Sequence, residues 1–154
     1  MGMGRATGSW LSGASAAMPS GVHPEYKGAD IGLPRSGVGA VGSTGQRVLA
    51  LFIDWIACGL IVLAFASFES QSLWTLGLWL LVGVLTVTLF GFTPGQYFAG
   101  LRVARIEGPT VRVGFVRALA RGVLIVFLVP PLLQDGDGRG MQDRATGTVL
   151  VRTR

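Results

Sequence analysis

The chain has 154 residues, of which 50% are hydrophobic and only 14% charged, against about 25% charged in an ordinary soluble domain. Thirteen basic and eight acidic residues leave a net charge of +5, and twelve of the thirteen are arginine. The arginines flank apolar runs with no base-stacking aromatics between them, which argues against nucleic acid and for anionic headgroups of a lipid bilayer.

Residues 1–44 are rich in Gly, Ser, Ala and Pro and show no apolar period, so a disordered tail is expected. The opening "MGMGRATGSWLSGASAAMPSG" lacks the apolar core of a signal peptide, and Ala6 breaks the myristoylation pattern. His23, the chain's one histidine, stands beside Pro24 and is expected to face solvent. "GVGAVG", 37–42, matches the glycine spacing of a dinucleotide-binding turn. That turn needs a preceding strand, whereas here a loop precedes and an apolar helix follows, so no cofactor is expected.

Val48 to Phe68 reads as a first membrane span of 21 residues. It holds Cys58, the single cysteine, which is expected to pack as a small apolar residue. The link Glu69–Ser72 is four residues long and makes the next helix an antiparallel neighbour. That second span, Leu73 to Phe92, carries no charge and begins with Trp74 at the headgroup level. Gly59, Gly77 and Gly83 are placed to let the two backbones approach. "TPGQ", Thr93 to Gln96, then breaks the helix.

Gly100 to Gly114 holds two β-favouring runs around a turn at Glu107–Thr110 and reads as a small β-hairpin or an interfacial segment. In the next segment the purely apolar part, Gly122 to Leu133, has 12 residues. That is about 18 Å of helix, too short for about 30 Å of hydrocarbon. Extension back to Phe115 restores the length but takes in Arg117 and Arg121, and Pro130-Pro131 weaken the far end. The segment 115–133 is therefore a third span or a re-entrant helix. "DGDGRGMQD" resembles part of a calcium loop, but Arg139 and Thr146 occupy positions that need acids, so a Gly-rich turn without metal is expected. "TVLVRT" alternates like a strand. The expected fold is an all-α membrane protein with a tail, 1–44, and a membrane domain, 45–154, with spans near 48–68, 73–92 and 115–133.

Arg35 and Arg47 precede the first span, and Arg102, Arg105 and Arg112 follow the second, while the link between the spans has no basic residue. The N-terminus and the second loop should therefore be cytoplasmic in a multi-pass protein of the cell membrane. Three full spans would put the C-terminal tail outside, against its four arginines. They would also forbid a pairing of "LRVARI" with "TVLVRT".

Ionisable residues in spans usually face the protein interior and find partners. Arg47 and Asp54 are seven apart, on one helix face but separated by about 10.5 Å along the axis. Arg121 enters the third segment to a depth of about 9 Å, matching Asp54, so Asp54 is expected to pair with Arg121, with Arg117 one turn nearer the surface. A fixed ion pair, a titrating or ion-contacting carboxylate and a protonated, unpaired Asp54 all fit this placement.

The motifs "QRVLALFIDW", "TPGQYFAGLRVARIEG", "VRALARGVLIVFLVP" and "MQDRATGTVLV" together resemble the RDD family of small bacterial membrane proteins, in the actinobacterial style. The resemblance runs from Gly45 to Arg154. It implies that Arg47, Asp54 and Asp143 are the Arg and two Asp of the family's name, with Arg144 beside the second Asp. Gln142 stands where the family usually has His, Ala145 where it has Leu and Thr146 where it has Ala, so no imidazole role is carried over. The resemblance implies a multi-pass membrane protein with a suggested transport role. The residues offer no catalytic triad, paired carboxylates or metal set, so a non-enzyme is expected. Two functions remain in view: a transport-associated protein acting as an oligomer or with a membrane partner, and a membrane scaffold or assembly subunit.

Overall fold

The computed structural model describes residues 25–67, 69–108, 110–127 and 134–154. Helix α1, Thr44–Leu63, starts where Ser43 accepts the Gln46 N–H and Gln46 Oε1 accepts the Ser43 N–H, a reciprocal cap. It runs 20 residues and is followed by α2, Gln71–Phe90, of equal length, which ends at Gly91 in the left-handed conformation. Both are long and apolar enough to cross a membrane. Their apolar side chains are largely left outside the core, with Phe52 62%, Leu60 63% and Leu73 78% exposed. A soluble core helix would bury them. Between the two helices Trp55 and Trp79 meet edge to face at 6.4 Å.

The glycines expected to bring α1 and α2 together do not do so. A Cβ at Gly59 would only just reach Thr75 at 4.0 Å, and one at Gly77 or Gly83 would meet nothing within 4 Å. The close approach is made by Gly122 of α4, Phe115–Phe127, where a Cβ would lie 2.7 Å from Leu80 of α2. Helix α4 has 13 residues, about 20 Å. The rest of the expected third span, 128–133, lies outside the described residues.

A cap closes one end of the helix pair. It comprises the short helix α3, Pro94–Phe98, strand β1, Leu101–Arg105, helix α5, Met141–Thr146, and strand β2, Thr148–Arg152. β1 pairs antiparallel with β2, Val103 opposite Leu150. The expected hairpin within 100–114 is thus replaced by a long-range pairing, because it buries Leu101, Val103 and Leu150 on one face of the sheet and Ala104, Val149 and Val151 on the other. Each fully buried Leu or Val among them stabilises the cap by about 1.5–3 kcal/mol.

β2 therefore lies at the same end as β1, not at the far end that three full crossings would require. Gln134 joins them there, its Nε2 donating to Thr44 Oγ1 at 2.8 Å. Residues 25–43, expected to belong to a disordered tail, are ordered on the sheet instead. Gly39 and Gly42 donate to Arg152 and Leu150 carbonyls, and Ile31, Leu33 and Val41 pack against Ala104 and Val149. The remainder of the expected tail, 1–24, with His23, lies outside the described residues.

Candidate functional site

Along α1 the buried residues are Arg47, Ala50, Asp54, Cys58 and Val62, one stripe at three- and four-residue spacing. The stripe is charged where it meets the cap and apolar beyond. Arg47, 2% exposed, spends every nitrogen: Nη1 on Asp143 Oδ2 at 2.8 Å, Nη2 on the Gly138 carbonyl at 2.8 Å and Nε on the Gly42 carbonyl at 3.3 Å.

Asp143 is fully buried in the first turn of α5. Its Oδ2 also accepts the Gly140 N–H at 3.2 Å, and its Oδ1 accepts Nη1 of Arg121 from α4. Arg121 Nη1 donates further to Thr148 Oγ1 at 3.2 Å, so β2 joins the cluster. One carboxylate thus holds two arginines from two helices.

This arrangement corrects the expected Asp54–Arg121 pair. Arg121 takes its charge partner from the cap, and Asp54 finds neutral donors. Thr93 donates its hydroxyl to Asp54 Oδ2, and the Gly95 N–H donates to Oδ1 at 2.7 Å. The carboxylate therefore sits on the positive start of α3. Gly95 is required there, since a Cβ would overlap the Ala50 carbonyl oxygen and approach Asp54 Cγ to 2.8 Å. "TPGQ" is more than a break: it caps α3 with Thr93 and Gln96 as "STGQ" caps α1 with Ser43 and Gln46. That repeated Ser/Thr-x-x-Gln pattern was the available sign of both helix starts.

Arg117 and Arg144 stand apart from the buried cluster. Arg117 Nη1 donates to the Thr146 carbonyl at 2.8 Å and its Nη2 lies 3.5 Å from Glu107, whose other oxygen pairs with Arg105. Arg144, with 58% of its side chain exposed, lies 3.7 Å from Asp135. At these distances and exposures such pairs contribute about 0–1 kcal/mol.

Two small cavities adjoin the cluster. One of about 40 Å³ is lined by Asp54, Thr93, Gln96 and Arg121 among apolar side chains of α1, α2 and α4. The other, about 20 Å³, is bounded by Arg47, Asp54, Gln96, Arg121 and Gln142. Each exceeds the roughly 10–15 Å³ that a water needs. Gln142, 4% exposed, has a buried Nε2 with no hydrogen-bond partner among the described residues. Thr93, Gln96, Gln142 and Thr148 were not among the sequence candidates, since nothing about a lone Thr or Gln marks it as polar lining.

Two positive and two negative side chains, Arg47, Arg121, Asp54 and Asp143, are therefore all buried around these cavities, three of them joined directly. Among the described residues no group of three His, Cys, Asp or Glu side chains is placed to hold a metal ion. Comparison with family models, with curated proteins and with solved structures finds no match to the chain.

Proposed function

We propose that the chain is an integral, non-enzymatic membrane protein of the RDD type, in which a buried Arg–Asp–Arg lock fastens a helical hairpin to a cytoplasmic cap, and that it serves as a scaffold or assembly subunit. The observation that carries this reading is Asp143, fully buried and shared by Arg47 and Arg121. A carboxylate that already accepts three hydrogen bonds, two of them from buried arginines, is held in a fixed ion pair rather than offered to a passing ion, and removing any member leaves an uncompensated buried charge. That the Arg and the two Asp of the resemblance gather at one end of the hairpin supports the family reading. In this topology α1 and α2 cross the bilayer, the segment beginning with α4 re-enters without crossing, and both termini are cytoplasmic, in keeping with the arginine-rich cap. Partners are a second copy or another membrane protein.

A second reading, transport-associated, has its own observation. Asp54 holds only neutral donors and borders both cavities, together with the unpartnered Gln142 Nε2. A carboxylate beside water-sized space is the group that would take up a proton or contact an ion.

Sealed vesicles loaded with a pH-sensitive dye separate the two. The scaffold reading expects no ion-driven pH change above that of protein-free vesicles, and copurification of a stoichiometric membrane partner or second copy in mild detergent. A flux seen with the wild type and lost in a stably folded Asp54→Asn variant would overturn it in favour of transport.

A further inference from the structure

Another basic site lies at the cap end of α2, away from the buried cluster. Gly91 turns the chain with φ 81°, and its carbonyl accepts the Val103 N–H at 2.7 Å, drawing β1 under the helix end. The turn leaves a pocket of about 310 Å³ between the last turn of α2, β1 and the segment 110–113. That size is within the range of small-ligand sites, about 300–1,000 Å³.

Its charged lining residues are Arg102 and Arg112, and no acidic side chain lines it. Neither arginine forms an ion pair among the described residues, and Arg102 Nε is buried without a hydrogen-bond partner. A buried guanidinium donor left unpaired costs free energy unless an acceptor completes it. The Thr88 and Thr110 side chains add polar lining.

The surroundings say what kind of acceptor fits. Phe90, Phe92, Tyr97 and Phe98 form a chain of ring contacts at 5.4 to 6.0 Å, and all but Phe92 are more than half exposed. Of these, Tyr97 has the amphipathic ring that favours the headgroup level, and the exposed phenyl rings beside it face the apolar side of that level. From the pocket, Leu89, Leu85 and Leu81 descend α2 at four-residue spacing, each 46 to 57% exposed. They make one continuous apolar track.

We propose that this pocket binds the headgroup phosphate of an anionic phospholipid, with Arg102 and Arg112 donating to the phosphate and an acyl chain lying along Leu89, Leu85 and Leu81. The proposal rests on α2 spanning the bilayer. It commits to a lipid because an anion without an acyl chain would leave the leucine track unused.

The test uses the full chain reconstituted in phosphatidylcholine vesicles with and without phosphatidylglycerol, extracted gently and examined by native mass spectrometry for retained lipid. Wild type should retain phosphatidylglycerol over phosphatidylcholine. The Arg102→Gln/Arg112→Gln variant should lose that preference about 30-fold, the equivalent of about 1 kcal/mol per arginine at an anionic surface. Arg35→Gln, which removes one charge elsewhere on the cap, should keep it. An equal loss per charge removed, about 5-fold in Arg35→Gln against about 30-fold in the double variant, would reduce the effect to overall charge and overturn the site. Displacement by inorganic phosphate alone would make it a free-anion site and overturn the lipid assignment. A chain that does not enter vesicles at all would refute the membrane reading, whereas one that enters and shows no lipid preference refutes only this pocket.

Discussion

Arg47 and Asp143 stand 96 positions apart in the chain and meet through a 2.8 Å bond with almost no exposed surface on either side chain. Arg47 also holds the Gly42 and Gly138 carbonyls, so its planar fork joins three segments at once. Lysine carries the same charge but cannot reach three acceptors in one plane. Arg47→Lys should therefore lower the unfolding free energy by about 1–3 kcal/mol, the cost of a buried polar group left unpaired. A thermal unfolding midpoint equal to the wild type's would show that charge alone matters at this position.

The contact between α2 and α4 depends on Gly122. Gly122→Leu should reduce detergent-resistant folding, because a Cβ there already intrudes on Leu80 at 2.7 Å. Gly77→Leu should behave like the wild type, since nothing lies within 4 Å of its Cβ position. Monodispersity by gel filtration after heating checks both. The reverse order of damage would mean that α2 packs through its other face.

Much of the hairpin was legible from apolar run length, since two apolar runs of about 20 residues joined by a four-residue polar link match a pair of membrane-length helices, even with Asp54 inside the first. The two alternating runs that form β1 and β2 were visible, but the first was read as a local hairpin or interfacial segment, and its pairing with the second was set against a third crossing. Asp143 as the shared carboxylate was hidden. It lies in a Gly-rich polar stretch with no apolar period, far from both arginines in sequence, and depth arithmetic along the spans considers only carboxylates within spans. The order of residues 25–43 was hidden for a related reason. Three scattered side chains, Ile31, Leu33 and Val41, bury against the sheet without making any pattern.

Asp137 lies outside the helical hairpin, in the turn before α5. Partial burial raises its carboxyl above the usual range, and Asp30 and Asp135 add to the rise, while the Asp30 backbone N–H and the Arg139 charge offset part of it. An acid with a raised folded-state pKa binds more protons folded than unfolded, so stability falls as pH rises from the ordinary carboxylate value, about 4, through the raised one. Asp137→Asn should therefore unfold at a higher temperature than the wild type at neutral pH, with the gap closing below about pH 4. A variant less stable at pH 7 would show that the Asp30 N–H and Arg139 outweigh the burial and the acidic neighbours.

Both chain ends should lie on one side of the membrane. Single cysteines at Ser36, Ser70 and Thr153 in a Cys58→Ala background, labelled with an impermeant thiol reagent in intact cells, test this. Label should reach Ser70 alone, because β1 and β2 pair in one cap and Gln134 returns to Thr44. Label at Thr153 together with Ser70 would require a third crossing and would be incompatible with the strand pairing.

The shared carboxylate at Asp143 is tested most directly by two double-mutant cycles on unfolding in lipid nanodiscs. One combines Arg121→Gln with Asp143→Asn, the other Arg121→Gln with Asp54→Asn. The first pair should show a coupling of about 0.5–3 kcal/mol, as direct partners do. Arg121 and Asp54 only border common cavities, so the second coupling should be clearly smaller. A larger coupling in the Asp54 cycle, with additive losses in the Asp143 cycle, would contradict the Arg–Asp–Arg lock.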